Sequence, residues 1–463
     1  MISHSREDVP MKKNDILFLR AEKLGADLEG ICRHEGMPVF VPGMLPGETA
    51  PVRIVKTEKK YAFGRLEAFP SDLSPDRRKP DCPSYPRCGG CTARHIQYEA
   101  TLAAKRDQVE DCLQRIGGIS VPVLPVMGME DPSHYRNKTS LPVSGTADHP
   151  VLGFYAPRSH AVVPVTSCPN AMEPANGIAA AVLSWMRKHR LAPYQETSHT
   201  GLVRHLVIRV NRQGESMVTL VANASSLPGM RELGESLSAM GVVSLYLNEN
   251  RQRNNVILSN TFHLISGRET LTETLFDLRF ELSPASFFQI NPVQTEKLYQ
   301  VAADFADLKP HELLADVYCA AGTITLTLAS RCRRAIGIEI VPQAVENARR
   351  NAAANGIHNV EFHAGKAEDL LPRFVEDGLR PDVILIDPPR KGVEPPIIQA
   401  IAQAQPSRVV YVSCNPATLA RDVKLLAETG YQVMKVQPVD MFCWTSGIET
   451  VCLLSRNQDL PAY

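Results

Sequence analysis

Three residues that could do chemistry each stand at the end of a strand-like apolar run in the last third of the chain. Cys414 ends RVVYVSC, Asp387 follows VILI and Glu339 ends AIGIE. In open α/β sheets, ligands bind outside the carboxyl ends of the strands, so we expect these side chains to share one crevice. A thiol placed there is a candidate nucleophile. Taken alone, a buried strand-end cysteine is more often an inert core residue.

The segments before Cys414 favour an adenosine-containing cofactor. LLADVYCAAGTITLTLA has the pattern strand, tight turn, helix, and Glu339 follows about twenty residues later, where an acid can accept hydrogen bonds from ribose hydroxyls. No G-x-G-x-x-G fingerprint is present, so S-adenosylmethionine fits better than NAD or FAD. Asp387 opens DPPRKG, and D-P-P beside such a cofactor is typical of enzymes that methylate bases. The alternatives are a plain turn at Asp387 and a solvated glutamate at Glu339.

A second acid, Glu449, precedes another apolar run in GIETVCLL. A lone glutamate there would be a surface residue, but a cysteine and a glutamate in one methyl-transfer pocket suit methylation of uracil at carbon 5. A thiolate that adds to carbon 6 makes carbon 5 nucleophilic, and a base then removes the carbon 5 proton. Cys414 would be the nucleophile and Glu449 the base. The target base must leave any stack to reach them.

The pattern of elements predicts a multidomain chain, α/β plus β. Residues 14–70 read as short strands with Gly/Pro turns, which indicates a small OB-like barrel with either an RNA-binding or a purely structural role. Residues 96–116 predict an amphipathic helix, which we expect to pack on the catalytic domain. Residues 120–280 read as mostly strands. The predicted domains are an RNA-binding barrel over residues 10–70, a central domain with a cysteine cluster over 71–280 and a Rossmann-like catalytic domain over 281–463.

The last domain begins with a clear helix start. Asn291 and Pro292 read as an N-cap and a first-turn proline that open a helix over 292–307. Strands then alternate with helices, which is typical of a parallel sheet covered on both faces.

Composition limits the partners of the chain. Its 463 residues suggest two or three domains. Lys+Arg and Asp+Glu are both 50, so nucleic-acid binding must come from local patches such as 53–94, with ten basic and five acidic residues. No 18-residue apolar run is present, and we expect no secretory signal in the polar first residues. We expect a cytoplasmic monomer that does not bind membranes.

A cysteine cluster stands between the barrel and the predicted helix. CPSYPRCGGC contains Cys82, Cys88 and Cys91, and Cys168 in VTSCPN is the best candidate for a fourth ligand. Three cysteines in ten residues of an intracellular protein favour a metal site over disulfides. Zinc and an iron–sulfur cluster both accept four thiolates.

Five segments, in order, resemble the RNA uracil-C5 methyltransferases, which make 5-methyluridine in tRNA and large-subunit ribosomal RNA. They are SPASFFQINPVQTEKLY, DVYCAAGTITLTLA, DPPRKG, SCNPATLARD and IETVCLL. The resemblance implies Cys414 as nucleophile, Glu449 as base and Phe287 as the residue that stacks on the target base. It also implies S-adenosylmethionine contacts from Gln289, Tyr318, Glu339 and Asp387.

The resemblance extends to the first half of the chain. The barrel is similar to a TRAM domain, mainly at FVPGMLPGE. The resemblance also implies a 4Fe-4S cluster, with zinc as second choice, on Cys82, Cys88, Cys91 and Cys168. A barrel with such a cluster resembles the ribosomal-RNA branch, so rRNA processing on 23S ribosomal RNA is the expected role.

Two departures keep other functions open. The family usually has Cys-Gly-x-Gly where this chain has Cys319-Ala320-Ala321-Gly322, and it tends to have Pro-His and a further His at the positions of Cys443, Trp444 and Gly447. The alternatives are a tRNA 5-methyluridine methyltransferase and a catalytically inactive RNA-binding or assembly factor. An amino-methyltransferase is a further rival, but it would need neither Cys414 nor Glu449.

Overall fold

The computed structural model describes residues 11–456, and they fall into two compact units. We call them the barrel unit and the large unit. The barrel unit holds the residues up to Tyr85, Cys91–Gln108 and Trp444–Ser446. The large unit holds Pro86–Gly90, Val109–Cys443 and the residues from Gly447 on. The division at 10–70, 71–280 and 281–463 stays a prediction.

Five strands of the barrel unit form a closed barrel in the order β1-β2-β3-β5-β4. Alternate side chains along these strands fill its interior, among them Leu19, Cys32, Val39 and Val52. The predicted small N-terminal barrel is therefore confirmed. The strands are β1 Ile16–Leu24, β2 Gly30–His34, β3 Met37–Val41, β4 Thr49–Thr57 and β5 Ala62–Leu66.

The first sheet of the large unit has seven strands in the order β12-β11-β10-β9-β6-β7-β8. Two helices pack on one face of it, α2 Glu173–Lys188 and α3 Met230–Ser238. Residues 120–280 thus contain mostly strands, as expected, together with two helices that the sequence analysis did not single out. The apolar face of α2, which includes Ile178, Val182 and Met186, repeats with the helical period. The strands are β6 Lys138–Gly145, β7 Pro150–Tyr155, β8 Val162–Pro164, β9 Val203–Val210, β10 Ser216–Ala222, β11 Val242–Glu249 and β12 Phe262–Gly267.

The second sheet of the large unit confirms the predicted α/β domain. A hairpin of β13 Leu271–Leu275 and β14 Leu278–Leu282 precedes it. The sheet has the order β17-β16-β15-β18-β19-β21-β20, with β15 to β19 parallel and β21 antiparallel to both of its neighbours. Its strands are β15 Leu313–Val317, β16 Arg334–Glu339, β17 Val360–Ala364, β18 Val383–Ile386, β19 Arg408–Ser413, β20 Tyr431–Val439 and β21 Glu449–Arg456.

Helices alternate with these strands, and two apolar cores flank the sheet. The first of the helices begins at Pro292, where the Asn291 side chain accepts a hydrogen bond from the backbone N–H of Gln294, as the sequence predicts. The helices are α4 Pro292–Ala306, α5 Thr323–Ala329, α6 Pro342–Ala354, α7 Ala367–Glu376, α8 Pro395–Ala404 and α9 Pro416–Glu428.

The predicted helix over 96–116 exists as α1 Tyr98–Cys112, followed by a π-helical turn over Leu113–Gly117. Val109 and Leu113 belong to the same apolar core as Val423 of α9. None of the helices described between residues 11 and 456 is long and apolar enough to cross a membrane.

Candidate active site

One cavity of about 950 Å³ opens at the carboxyl ends of the second sheet. It lies where the strand order reverses between β15 and β18, which is the usual ligand position in open α/β sheets. The structure brings seven of the predicted residues together in its lining: Phe287, Gln289, Tyr318, Glu339, Asp387, Cys414 and Glu449.

The turn after β15 depends on left-handed backbone. Tyr318, Ala320 and Gly322 have φ of 73°, 47° and 77°. Left-handed backbone costs a non-glycine residue about 1 kcal/mol, so Ala320 is strained at the position where the sequence lacks the usual glycine. The turn is nevertheless ordered by Glu339, because its carboxylate accepts hydrogen bonds from the backbone N–H groups of Ala320 at 3.1 Å and Val341 at 2.8 Å.

Two carboxyl groups of the cavity lining, Asp387 and Glu449, and a third group beside them, Asp316, have raised pKa values because they are buried. Burial raises the pKa of Asp316 to about 7, although a hydrogen bond from Thr325 opposes the shift. Burial and the neighbouring Asp316 raise the pKa of Asp387 to about 7. Burial and the nearby Asp387 raise the pKa of Glu449 well above its usual value. The surroundings of these acids therefore favour their protonated forms, and a cation bound in the cavity would shift them toward their ionised forms.

Cys414 lies beside Arg390, which the sequence analysis did not single out. Burial and then Glu449 raise the pKa of the Cys414 thiol, whereas the charge and hydrogen bonding of Arg390 lower it. Arg390 is therefore the group that favours the thiolate. The sequence did carry a signal for it, a cation directly after the D-P-P turn.

The loop that carries Arg390 is tied to the start of α9. The side chains of Asn415 and Thr418 donate to the carbonyl of Arg390, at 3.2 and 3.3 Å. Asn415 is also the N-cap of α9 and directly follows Cys414. The loop and the thiol thus share one support.

A buried carboxylate fixes the far end of this loop. Asp422 accepts hydrogen bonds from the backbone N–H of Val393 at 2.9 Å and from the hydroxyl of Tyr411 at 2.6 Å. Arg421 donates to the carbonyl of Lys391 at 2.8 Å. We call Tyr411, Arg421 and Asp422 the loop anchor.

Phe287 and Gln289 lie on a segment held by the first sheet. Asn137 donates to the carbonyl of Gln289 at 3.0 Å, and buried Arg209 donates to the carbonyl of Ser286 at 2.6 Å. Between these two attachments the Phe287 side chain is 63% exposed. An exposed ring on a fixed backbone is suited to stack on a flat ligand.

The residues that replace the family's histidines do not line the cavity. Cys443 is fully buried. Trp444 belongs to the barrel unit, where the guanidinium groups of Arg78 and Arg94 lie 4.8 and 5.3 Å from the centre of its ring system. From Met441 to Glu449, the cavity lining includes Phe442 and Glu449.

The cysteines predicted to bind a metal are divided between the two units. Cys82 and Cys91 lie in the barrel unit, and Cys88 and Cys168 in the large unit. Within residues 11–456, no group of three or more His, Cys, Asp or Glu side chains is placed to hold a metal ion. The 4Fe-4S cluster on Cys82, Cys88, Cys91 and Cys168, and zinc as its alternative, therefore stay predictions.

Comparisons with known proteins agree with the fold and with an RNA methyltransferase. Residues 248–457 match the family tRNA (Uracil-5-)-methyltransferase, and residues 20–66 match the TRAM domain. An uncharacterized RNA methyltransferase of Clostridium tetani is 41% identical over 98% of this chain and 99% of its own length. One of Halalkalibacterium halodurans is 41% identical over 97% and 99%.

A solved structure extends the likeness to nearly the whole fold. The tRNA (uracil-54, C5)-methyltransferase of Pyrococcus abyssi, in complex with S-adenosyl-L-homocysteine, superposes with a TM-score of 0.76 at 25% identity. The match covers 95% of this chain and 100% of the archaeal chain.

Proposed function

The chain belongs to the RNA uracil-5-methyltransferase family, and we propose that it methylates carbon 5 of a uridine in 23S ribosomal RNA through a covalent bond between Cys414 and carbon 6. One observation carries this proposal. The thiol of Cys414, the guanidinium of Arg390 and the carboxyl of Glu449 line one cavity, so a nucleophile, its activator and a base are within reach of a single ring.

The cavity fits S-adenosylmethionine. Its volume is in the range of cofactor pockets, and Glu339 lies at the strand end where a ribose acceptor is expected. Gln289, Tyr318 and Asp387 would hold the rest of the molecule. S-adenosylmethionine, when bound, supplies an electrophilic methyl group and a positive charge.

The positive charge of bound S-adenosylmethionine would act on the buried carboxyl groups of the cavity. Asp387 and Glu449 have raised pKa values because both are buried and each lies near another acid, Asp316 in the case of Asp387 and Asp387 in the case of Glu449. A cation in the cavity favours their ionised forms. Glu449 would thus become a competent base when cofactor is present.

The proposed reaction then runs through side chains of this protein. Phe287 stacks on the uracil ring after the uridine has left its stack. Cys414 adds as thiolate to carbon 6, and Arg390 stabilises the thiolate before it attacks. Carbon 5 then takes the methyl group, Glu449 removes the carbon 5 proton, and the bond from sulfur to carbon 6 breaks to release the base.

A tRNA uridine is the second candidate substrate, because the solved structure similar over most of the chain is a tRNA (uracil-54, C5)-methyltransferase. The preference for 23S ribosomal RNA rested on the barrel together with a metal cluster. Since no metal-binding group is found among the described residues, the barrel is the observed feature that supports that preference. A cluster, a cytoplasmic location and a monomeric state stay predictions, and no step of the proposed reaction depends on them.

Methyl transfer to defined RNAs tests the proposal. Purified protein with tritiated S-adenosylmethionine would be given unmodified 23S ribosomal RNA and, separately, unmodified tRNA. We expect 5-methyluridine in digested 23S RNA. Label only in tRNA would favour the second candidate, and label in a methylated adenine would contradict uracil chemistry. Iron and zinc analysis of the same preparation, beside Cys88→Ser protein, tests the metal prediction.

A further inference from the structure

Three aromatic rings form a cluster on the barrel. Phe40 of β3 lies 5.8 Å, centre to centre, from both Phe63 of β5 and Tyr61 just before β5. The rings of Tyr61 and Phe63 are 5.5 Å apart and nearly perpendicular. We call these three residues the aromatic cluster.

The cluster lies outside the barrel core. On β3, Val39 and Val41 are fully buried, so Phe40 between them points outward. On β5, Ala62 is fully buried, and Phe63 next to it also points outward. Tyr61 keeps 39% of its surface exposed. The barrel therefore closes without these rings, and a ligand is a better account of them than core packing.

Two lysines lie beside the cluster. Lys59 and Lys60 are in the turn between β4 and β5, directly before Tyr61, and both are exposed. Neither makes an ion pair or hydrogen bond with any residue that the structure describes, whereas nearby Lys56 pairs with Glu58 at 2.6 Å. The turn thus adds two uncompensated positive charges to an aromatic surface.

We propose that the aromatic cluster stacks on unpaired bases of the substrate RNA while Lys59 and Lys60 contact the adjoining phosphates. Flat rings beside free cations match the two chemical features of single-stranded RNA, base faces and a phosphate backbone. A protein partner could pack on the aromatic rings, but it would not explain the two positive charges of Lys59 and Lys60 beside them. The inference rests on the proposed function for its ligand, and it assigns to the barrel a site separate from the methyl-transfer cavity.

RNA binding by the full-length protein tests this assignment. The probe is a fluorescein-labelled single-stranded 20-mer of 23S sequence, and fluorescence anisotropy gives its Kd. Alanine at a stacking residue costs about 1–3 kcal/mol per base, so Tyr61→Ala and Phe63→Ala should each weaken binding about 5- to 150-fold. Tyr61→Ala is the safer variant for folding, because that ring is the more exposed.

Charge variants and a matched aromatic control complete the test. Replacing both lysines as Lys59→Gln/Lys60→Gln should reduce the dependence of log Kd on log salt by about 0.7 for each phosphate that the protein no longer neutralises. Phe18 on β1 is another aromatic residue of the same barrel and is 71% exposed. Phe18→Ala should bind the probe as wild type does.

The failures of the two proposals are distinguishable. If wild type binds and methylates RNA while Tyr61→Ala and Phe63→Ala bind equally well, the aromatic assignment is wrong and the proposed function stands. An equal loss in Phe18→Ala would also overturn the assignment to this cluster. If wild-type protein neither binds nor methylates RNA, the proposed function itself fails.

Discussion

The guanidinium of Arg390 lies beside the thiol of Cys414 and opposes the rise in its pKa that burial and Glu449 impose. Replacement by glutamine should therefore raise the thiol pKa, because the neighbouring positive charge that favours the thiolate is gone. We expect the pH profile of Cys414 alkylation by iodoacetamide to move upward in Arg390→Gln and methyl transfer to slow.

Lys391→Gln is the matched control, because it removes the next cation along the loop, one that pairs with Glu394 at 2.8 Å. Its alkylation profile should match that of wild type. If Arg390→Gln also left the profile in place, Arg390 would not be the activator of the thiol.

Ala320→Gly should stabilise the protein. Ala320 has a φ of +47°, a conformation that costs alanine about 1 kcal/mol more than glycine. Glycine gains more freedom on unfolding, so we expect a net gain of at most about 1 kcal/mol in the free energy of unfolding. Differential scanning calorimetry should show this as a rise in the Tm of the large unit.

The neighbouring Ala321→Gly provides the control. Ala321 is buried and has no left-handed φ, so glycine there should lower stability by about 0.5–1 kcal/mol. Equal effects of the two substitutions would argue against strain at Ala320. Tight S-adenosylmethionine binding by wild type would further show that this alanine does not block the cavity.

Cofactor affinity should depend on pH. Asp387 has a pKa raised to about 7, so its contribution to the stability of the unliganded protein is complete below about pH 4 and is lost as pH rises through 7. The ionised form that appears over this window is the one that attracts a sulfonium. S-adenosylmethionine should thus bind about tenfold tighter per pH unit from 5.5 to 7, measured by titration calorimetry.

S-adenosylhomocysteine is the matched ligand, because its sulfur carries no charge. Its affinity should change much less over the same range, and Asp387→Asn should flatten the profile of S-adenosylmethionine. If the affinities of both ligands changed equally with pH, the positive charge of S-adenosylmethionine would not be the cause of the pH dependence.

The loop anchor should govern activity through Arg390. Tyr411→Phe removes one buried hydrogen bond to Asp422, which also holds the backbone of Val393. Loosening this loop should lower kcat about tenfold, raise the pKa of Cys414 and leave the KM for S-adenosylmethionine nearly unchanged. The measurements are steady-state kinetics and the alkylation profile.

Tyr431→Phe is the same change at a buried tyrosine of the same sheet, whose hydroxyl donates to the carbonyl of Pro406 at 2.9 Å. Both variants lose a buried hydrogen bond, at a cost of about 1–3 kcal/mol in stability. Only Tyr411→Phe should change kcat. If Tyr431→Phe lost as much kcat as Tyr411→Phe, the loop anchor would have only a general structural role.

The sequence was sufficient for features that depend on local pattern. Strand-end residues such as Glu339, Asp387 and Cys414 could be assigned to one crevice because the topology of a parallel sheet dictates where strands end. The start of α4 at Asn291 and Pro292 follows from capping chemistry. The helix start depends on adjacent residues, and the position of the strand ends follows from a rule that holds for all parallel sheets.

Features that depend on packing between distant segments were missed. Arg390 gained its role only when its loop was tied to Asn415, 25 residues later. The segment that carries Phe287 is held by Arg209 of β9, which bonds Ser286, and by Asn137 just before β6, which bonds Gln289. Both contacts join residues far apart in the sequence. Helix α2 was overlooked for a different reason. Its apolar residues recur with helical spacing, but the segment lies among strands and was interpreted with them.

A covalent trap tests the central claim, that Cys414 attacks the uracil ring. RNA containing 5-fluorouridine would be incubated with the protein and S-adenosylmethionine and then denatured. Fluorine cannot leave carbon 5 as a proton does, so the bond to sulfur should persist as a stable protein–RNA adduct. We expect the adduct in wild type and in Cys112→Ala, a half-buried cysteine outside the cavity lining, and none in Cys414→Ala. An adduct that survives in Cys414→Ala, or its absence from wild type that methylates ordinary RNA, would contradict the mechanism.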